Sequence, residues 1–301
     1  MAQRSVPSPD TTATRTERAD EVLSWSAAHG RDLPWRHTRD PWAVLVSEVM
    51  AQQTQVERVI PKWMAFLQRW PSPHECAAAS LGDVLRFWEG LGYPRRAKHL
   101  HQAAKLIAGE GRFPGTFSSL LALPGVGQYT ARAVLAFAFE QDVAVVDTNT
   151  ARVLARWENR TMNRSDVQAD AALPEGGGWA WNQAMLDLGA LICTRTNPKC
   201  GACPVSNMCA YRYLASSSAV PVPDPADGTS GVSTRQSAFV GSDRQYRGRI
   251  LRAAADEPAV CDVAVIVGLA NDSGRATRLV ESLIADGLAA MSGGCLVLPG
   301  E

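Results

Sequence analysis

The chain has 301 residues, with 30 basic and 30 acidic side chains, and its apolar content is typical of a folded protein. This length predicts about two domains, each able to bury a core. No apolar run approaches the roughly 20 residues that cross a bilayer. Residues 1–18 lack the apolar segment of a secretory signal and are expected to form a disordered tail. We therefore expect a cytoplasmic protein without a membrane partner.

Helical periodicity dominates residues 19–213, and strand signals are nearly absent there. Glycines end or interrupt several of the periodic segments, as at Gly90, Gly92 and Gly176. The predicted helices in chain order cover residues 42–53, 84–88, 131–139, the segment after Asp147, and 179–192. The first two thirds of the chain are therefore predicted to be all-α.

The composition changes sharply at residues 214–233, where serine, proline and glycine accumulate. Such a composition is typical of a linker. Residues 234–301 then form a small separate unit. Its pattern predicts a helix at 244–255, a strand or short helix at 263–267, a helix at 275–289 and a hairpin at 291–298. This order indicates a winged-helix-like α+β module.

Four cysteines lie within 17 residues, with the spacing C-x6-C-x2-C-x5-C: Cys193, Cys200, Cys203 and Cys209. Four thiolates so close in sequence can converge on one metal centre. Zinc is the alternative, but four-cysteine zinc sites usually pair two C-x2-C knuckles and only one is present. The spacing favours an iron–sulfur cluster. The remaining cysteines, Cys76, Cys261 and Cys295, are isolated and are interpreted as core residues.

A glycine-containing turn lies between two helical segments, in residues 123–131. Backbone N–H groups of such a turn can point outward at a helix N-terminus and bind a DNA phosphate. The residues assigned to this contact are Leu123, Gly125, Val126, Gly127 and Gln128. Taken alone, the pattern fits a plain helix–helix turn equally well.

Taken together, the motifs resemble those of the adenine glycosylases of the MutY type, in the helix-hairpin-helix superfamily. The resemblance runs from Leu33 to Cys209. Its ordered segments are residues 33–36 (LPWR), 47–56 (SEVMAQQTQV), 90–93 (GLGY), the hairpin, 146–149 (VDTN), 182–185 (NQAM) and the four cysteines. Thr148 and Pro94 depart from the residues that are commoner in the family.

The resemblance implies a base-excision-repair enzyme with two helical domains and a DNA-binding cleft between them. Residues 19–41 and 148–213 would form the domain that holds a [4Fe–4S] cluster, and residues 42–147 the helix-hairpin-helix domain. The implied partner is duplex DNA with adenine opposite 8-oxoguanine or guanine. The enzyme is expected to act as a nucleoid-associated monomer.

The implied chemistry needs two carboxylates in opposite protonation states. Glu48 lies beside an apolar stripe, so partial burial is expected to raise its pKa and let it protonate adenine. Asp147 begins a helix, whose positive end favours a carboxylate that stabilises the sugar cation. Each has a structural alternative, because Glu48 fits a solvated helix residue and Asp147 an N-cap. Tyr129 and Asn149 are expected to support the sugar.

One residue separates base removal from strand cleavage. The similar endonuclease III enzymes have a lysine at the position of Tyr129, and this lysine forms a Schiff base. A tyrosine cannot form this imine, so the resemblance implies no efficient lyase activity.

Further residues match family positions that contact DNA. Gln53, Leu91 and Tyr93 match those that fill or wedge the gap beside the lesion, although Leu91 also fits a core leucine. The adenine pocket is assigned Trp35, Arg36 and Gln183.

The C-terminal residues contain no Nudix box, although family members usually use a Nudix-like domain to recognise 8-oxoguanine. Two rival functions remain open. One is a bifunctional endonuclease III-like glycosylase/lyase, which Tyr129 disfavours. The other is a non-catalytic iron–sulfur DNA-binding protein, which the presence of both acids disfavours.

Overall fold

The computed structural model describes residues 12–163, 173–229, 232, 238–257 and 259–300. These residues are mostly helical, which confirms the predicted fold class. The α-helices are α1 (Thr12–His29), α2 (Pro41–Ala51), α3 (Val56–Arg69), α4 (Pro73–Ala78), α5 (Leu81–Phe87), α6 (Arg95–Glu110), α7 (Phe117–Leu121), α8 (Gln128–Phe137), α9 (Thr148–Glu158), α10 (Gly178–Asp187), α11 (Ala210–Ser217), α12 (Asp243–Asp256), α13 (Val263–Ile266) and α14 (Ser273–Ala285). Shorter helical turns cover Pro34–His37, Leu188–Ile192, Cys200–Ala202 and Ser206–Met208. Of the helices described, none is long and apolar enough to cross a membrane.

The chain divides into two compact units. The first lies within Met1–Arg39 and Ala131–Arg235, and the second comprises Asp40–Thr130 and Gln236–Glu301. Residues 131–147 thus group with the four cysteines, whereas the prediction grouped them with the hairpin. The C-terminal residues group with the hairpin.

In the first unit, α1 packs against α10, and α9 packs against the π-helical turn Leu188–Ile192 and α11. The buried core comprises Ala19, Val22, Val153, Trp157, Trp181, Ala184, Met185, Leu188, Ile192, Val205, Met208 and Cys209. This core includes Cys209, so the same packing supports the loop with the four cysteines.

The first helix begins earlier than predicted. Residues 1–18 were expected to be disordered, yet α1 starts at Thr12, while residues 1–11 lie outside the described part of the chain. Arg18 explains the difference. Its buried guanidinium donates to Met208 O at 3.2 Å, pairs with Glu158 at 3.5 Å and lies over the Trp157 ring. These distant partners tie the first half of α1 to the core, and local composition does not reveal them.

The predicted linker, residues 214–233, is packed in its described part rather than free. Asp224 Oδ2 accepts from Arg156 Nη2 at 2.6 Å, and this guanidinium is 3% exposed. Ala226 and Thr229 are buried, and Thr229 Oγ1 accepts from Met162 N at 3.2 Å. The segment is therefore part of the first unit, because one ion pair and two small buried side chains anchor a sequence that is otherwise poor in apolar residues.

In the second unit, α2, α4 and α5 pack against α6. An aromatic cluster of Trp42, Phe66, Trp70 and Phe87 forms part of its core, with ring centroids 4.8 to 6.2 Å apart. The indole N–H of Trp42 donates to Trp70 O at 3.1 Å, so the buried polar atom is satisfied. α4 begins at a Ser72–Glu75 capping box, which explains why so short a helix forms here.

The C-terminal module has the winged-helix order that its sequence predicts. After α12, Val260 pairs with Leu296, then α13 and α14 follow, and finally the hairpin of β1 (Ala290–Ser292) and β2 (Cys295–Val297). The hairpin is antiparallel, with Met291 opposite Leu296. Gly293 and Gly294 both have positive φ, which the tight turn between β1 and β2 requires.

Two cysteines differ from their predicted role. Cys261 and Cys295 were expected to be unpaired core residues, but they form a disulfide that closes a loop of 34 residues. Their separation in sequence gave no sign of the pair, which the Val260–Leu296 bridge brings together. Cys76 is buried and unbonded, as expected, and burial raises its pKa to about 12.

Candidate active site and cluster site

In the first unit, the carboxylate of Asp147 lies at the N-terminus of α9. Its Oδ1 accepts from Asn149 N at 2.8 Å and Thr150 N at 2.7 Å, and its Oδ2 accepts from Asn149 Nδ2 at 2.8 Å. The side chain is thus an N-cap, the structural alternative that the sequence left open. The same geometry places a negative charge, half-buried and fixed in orientation, at the positive end of a helix.

The segment before Asp147 is held by Asn182 of α10. Asn182 Oδ1 accepts from Val145 N at 2.8 Å, and its Nδ2 donates to Val143 O at 2.9 Å. Asn182 is 2% exposed, so these bonds are shielded from water. Residues 143–146 do not pair with a strand in the described part of the chain, so these two bonds hold the main chain that leads to Asp147.

Asn149 is fixed from behind by a buried arginine of α9. Arg152 Nη2 donates to Asn149 Oδ1 at 2.8 Å and to Gly189 O at 2.7 Å, while its Nε donates to Cys193 O at 2.7 Å. Gly189 permits this packing, because a Cβ there would lie 2.6 Å from Asn149 Cβ. One guanidinium therefore joins the Asp147 site to the first of the four cysteines.

The four cysteines surround one cavity. Its lining includes Cys193, Cys200, Cys203 and Cys209, together with the apolar side chains of Leu188 and Ile192 and the guanidinium of Arg156. Arg156 Nη1 lies 3.4 Å from Cys193 Sγ and donates to Thr194 O at 2.8 Å. Among the described residues, no three Cys, His, Asp or Glu side chains are grouped to hold a single metal ion. All four cysteines line the same cavity, so a group that takes four cysteine ligands can be held there.

The chemistry of these thiols also fits an iron–sulfur centre. Burial raises the pKa of Cys203 to about 12 and that of Cys209 to about 11, and it raises the pKa of Cys193 despite the nearby Arg156. Thiolates are therefore costly here unless positive charge lies among them. The irons of a cluster supply such charge, so the four cysteines fit an iron–sulfur cluster.

In the second unit, Glu48 lies near the end of α2, a helix with eight buried residues. Its own side chain is half-buried, and the residues before and after it in sequence, Ser47 and Val49, are buried. Tyr129, the second residue of α8, is also half-buried. Its neighbour Thr130 accepts a hydrogen bond from Gln52 Nε2 at 3.3 Å, which links the end of α2 to the start of α8.

The glycine turn connects α7 to α8, as predicted for a helical hairpin. Leu123 and Val126 are buried and anchor it, whereas Gly125, Gly127 and Gln128 are exposed. At Gly125, φ is +75° and a Cβ would lie 2.7 Å from His99 Cβ, so only glycine fits against α6. The turn thus exposes backbone at the N-terminus of α8 on a rigid support.

Two loops carry the residues predicted to enter DNA. Gln53 is exposed, with φ +56°, and Tyr93 is half-exposed, with φ +47°. Leu91 is only 4% exposed, which corresponds to the core alternative for this residue. The buried Arg96 donates to carbonyls of both loops, to Gln52 O at 2.6 Å and to Leu91 O at 2.9 Å. The sequence did not single out Arg96, because nothing local marks a guanidinium that binds distant carbonyls.

The residues assigned to the adenine pocket lie in the first unit. Trp35 is half-buried and Gln183 is 8% exposed. Arg36 is engaged elsewhere, since its Nη1 and Nη2 donate to the two carboxylate oxygens of Asp187 at 2.7 and 2.8 Å. Asp187 is fully buried and also binds Arg31 at 2.6 Å. This ion-pair cluster, which the sequence did not predict, holds the 31–36 segment against α10.

Comparison with known proteins matches two segments of the chain to family models and its full length to relatives. Residues 46–176 match the HhH-GPD superfamily of base excision DNA repair proteins, and residues 193–209 match the iron–sulfur binding domain of endonuclease III. The adenine DNA glycosylase of Mycobacterium tuberculosis (strain H37Rv) is 41% identical over 310 residues, which cover 98% of each chain. That of Mycolicibacterium smegmatis is 41% identical over 292 residues, or 93% of this chain and 96% of the relative.

A solved thermostable thymine-DNA glycosylase superposes with a TM-score of 0.62 at 28% identity, covering 67% of this chain and 97% of that one. The fold is therefore shared with a glycosylase of different base specificity. Full-length similarity decides the family. The chain belongs to the adenine DNA glycosylase family of base excision DNA repair proteins, with a [4Fe–4S] cluster as its cofactor and DNA as its partner.

Proposed function

We propose that this protein removes adenine opposite 8-oxoguanine or guanine by acid-assisted hydrolysis of the N-glycosidic bond, as a monomer and without efficient strand cleavage. The observation that carries the proposal is the geometry of Asp147. Its two oxygens accept three N–H groups at a helix N-terminus, so a fixed negative charge is available for a sugar that becomes cationic.

The reaction requires the adenine to leave the base stack first. The carboxyl proton of Glu48 passes to N7 of adenine, and the C1′–N9 bond breaks with its electron pair leaving on the base. Asp147 stabilises the positive charge that forms on the sugar. Water then adds to C1′ and gives a proton back to Glu48. Asn149, which Arg152 and Asp147 hold on both sides, orients the sugar and keeps Asp147 in place.

Tyr129 accounts for the absence of lyase chemistry. A lysine amine can replace the base at C1′ and form a Schiff base, and the phenol of tyrosine cannot. The product is therefore an intact strand with an abasic site, which breaks only when alkali is added.

The remaining predicted residues bind DNA or support those that do. Gln53 and Tyr93 fill the gap left by the adenine, while Leu91 supports the loop from inside. The exposed N-terminus of α8, at Gly127 and Gln128, binds a backbone phosphate. Trp35 and Gln183 line the adenine pocket, and Arg36 supports Trp35 through its ion pair with Asp187. Because the substrate is DNA, we expect the enzyme to act at the nucleoid, in the cytoplasm.

We assign Cys193, Cys200, Cys203 and Cys209 as the ligands of the [4Fe–4S] cluster. When bound, the cluster cross-links the 193–209 loop. This loop carries Arg195 and Lys199, which can contact phosphate. Arg156 keeps Cys193 oriented and anchors residue 224 of the following segment.

The test is an excision assay on an end-labelled duplex with adenine opposite 8-oxoguanine, analysed with and without alkali. We expect strand breaks only after alkali with the native protein. Glu48→Gln and Asp147→Asn should each lower the single-turnover rate at least about 100-fold. Asparagine is itself a good N-cap, so Asp147→Asn retains α9.

Matched controls separate chemistry from folding. Glu57→Gln removes an exposed carboxylate from α3, and Asp272→Asn changes the N-cap of α14. Neither should alter the rate. Breaks without alkali would indicate a lyase instead, and tight binding without any product would indicate a non-catalytic DNA-binding protein.

A further inference from the structure

The C-terminal winged-helix module, residues 238–300, contacts the loop that carries Tyr93. Arg244, at the start of α12, donates from Nη1 to Tyr93 Oη at 3.3 Å, across 151 residues of sequence. Both side chains are half-buried. Under the proposed function Tyr93 enters the gap beside the lesion, so this contact links the module to a side chain that meets DNA.

The main chain of the loop between α5 and α6, residues 88–94, is held from inside the second unit. Arg96 donates to Leu91 O at 2.9 Å and Gly92 O at 3.0 Å, and Trp88 Nε1 also donates to Gly92 O at 3.1 Å. These bonds fix carbonyl oxygens. The guanidinium of Arg96 lies 5.5 Å from the centre of the Tyr93 ring, whereas the hydroxyl at the far end of that ring meets Arg244.

The module is attached on both sides of this loop. On the α5 side, Arg252 pairs with Glu89, and Arg86 Nε donates to Ala255 O at 3.2 Å. On the α6 side, Asp286 pairs with both Arg95 and Arg247. Because α12 is fixed on both flanks of the 88–94 loop, it can keep Arg244 in contact with Tyr93, which lies between these flanks.

We propose that the C-terminal module braces the 88–94 loop and that Arg244 is a positioning residue for Tyr93. The module thereby sharpens discrimination between lesion-containing and undamaged duplex without reading the lesion itself. This inference rests on the proposed function. It also gives a role to a module that lacks a Nudix box.

A direct phosphate contact by Arg244 is the competing explanation, and the two make different predictions. Loss of a phosphate contact weakens binding to every duplex alike. It also lowers the slope of log Kd against log salt concentration by about one. Loss of a positioning contact weakens binding to the lesion duplex selectively. It also makes the effects of changing Arg244 and Tyr93 non-additive.

The experiment measures Kd for two duplexes, one with a non-cleavable adenosine analogue opposite 8-oxoguanine and one undamaged, at several salt concentrations. The variants are Arg244→Ala, Arg244→Lys, Tyr93→Phe and the double variant Arg244→Ala/Tyr93→Phe. We expect Arg244→Ala and Tyr93→Phe each to weaken lesion binding about fivefold, with little change for undamaged DNA. The double variant should be no weaker than either, and Arg244→Lys should recover most of the affinity.

Arg249→Ala is the control, because Arg249 is an exposed arginine of the same helix. 2-Aminopurine beside the lesion reports ring stacking, and its quenching should fall in Arg244→Ala and not in Arg249→Ala. If Arg244→Ala weakened binding to both duplexes equally, or if the effects were additive in the double variant, the module would not brace the loop through Arg244. Failure of the proposed function is distinct, since the native protein would then release no adenine in the alkali assay.

Discussion

Arg152 binds Asn149 at 2.8 Å through one nitrogen while another nitrogen of the same guanidinium binds the carbonyl oxygen of Cys193 at 2.7 Å. The candidate catalytic site and the cluster site of the first unit are thus joined by one buried side chain. We expect a disturbance at either end to reach the other through Arg152.

Replacing Arg152 by methionine, which keeps much of its length, should therefore impair both sites. Buried carbonyl groups would lose their donor, so we expect the free energy of unfolding to fall by about 2 kcal/mol. The excision rate should fall about tenfold or more, because Asn149 loses its support. Chemical denaturation, single-turnover kinetics and the visible absorbance of the cluster measure these effects. Arg160→Met, an exposed arginine just after α9, is the control.

Arg96 offers a second test, in the other unit. Arg96 is 8% exposed, and its guanidinium donates to Val49 O, Met50 O, Gln52 O, Thr54 Oγ1, Leu91 O and Gly92 O. Burial lowers the pKa of Arg96 to about 10. Lysine retains a charge but cannot reach acceptors on both loops.

We therefore expect Arg96→Lys to lower the free energy of unfolding by about 3 kcal/mol and to weaken lesion binding. Urea denaturation and the lesion-duplex Kd provide the measurements, with the exposed Arg58→Lys as control. A stable Arg96→Lys protein with native affinity would show that the two loops hold their conformation without this side chain.

The lowered pKa of Asp187 predicts that the free energy of unfolding depends on pH in the acid range. Burial alone raises the pKa of Asp187, but hydrogen bonds and charge from Arg36 and Arg31 outweigh it, and the net shift is downward. A carboxyl whose pKa is lower in the folded state contributes stability above its unfolded pKa of about 3.9. That contribution is lost as pH falls below this value, through the lowered folded pKa.

Asp187→Asn should accordingly lower the free energy of unfolding at pH 7 by about 3 kcal/mol, because two largely buried guanidinium groups lose their partner. Its stability should then vary less with pH below 4 than that of the native protein. Urea denaturation across pH 3 to 7 measures both effects. An unchanged pH profile would show that other carboxyls govern acid unfolding.

The Cys261–Cys295 disulfide should stabilise the winged-helix module. A cross-link that closes a loop of 34 residues restricts the unfolded chain and contributes about 4 kcal/mol. Reduction should therefore make residues 238–300 more sensitive to protease. The double variant Cys261→Ser/Cys295→Ser should be equally sensitive with and without reductant. If reductant still changed its digestion, the effect would come from other thiols.

Local signals predicted much of this molecule. The Cys193–Cys209 spacing, the glycine turn at 123–128 and the winged-helix order each depend on residues close together in sequence. Asp147 precedes a helix, and its N-cap geometry follows from that position alone.

The features that the sequence did not predict all depend on distant partners. Arg96 binds carbonyls 44 to 47 residues away, Arg36 binds Asp187 across 151 residues, and Arg18 reaches Met208 across 190. Asp224 anchors a segment whose composition is that of a linker. Charged residues give no periodic signal, so only the folded chain reveals which of them are buried in pairs.

The first unit is built from two separated stretches of chain, and this has a consequence for biogenesis. Residues 40–130 leave the ribosome as one contiguous stretch and can begin to fold at once. Helix α1 is made before them, yet its partners Glu158 and Met208 are made long after. We expect α1 to remain undocked through most of translation, so that cluster insertion is a late step that completes the first unit after its last cysteine has emerged.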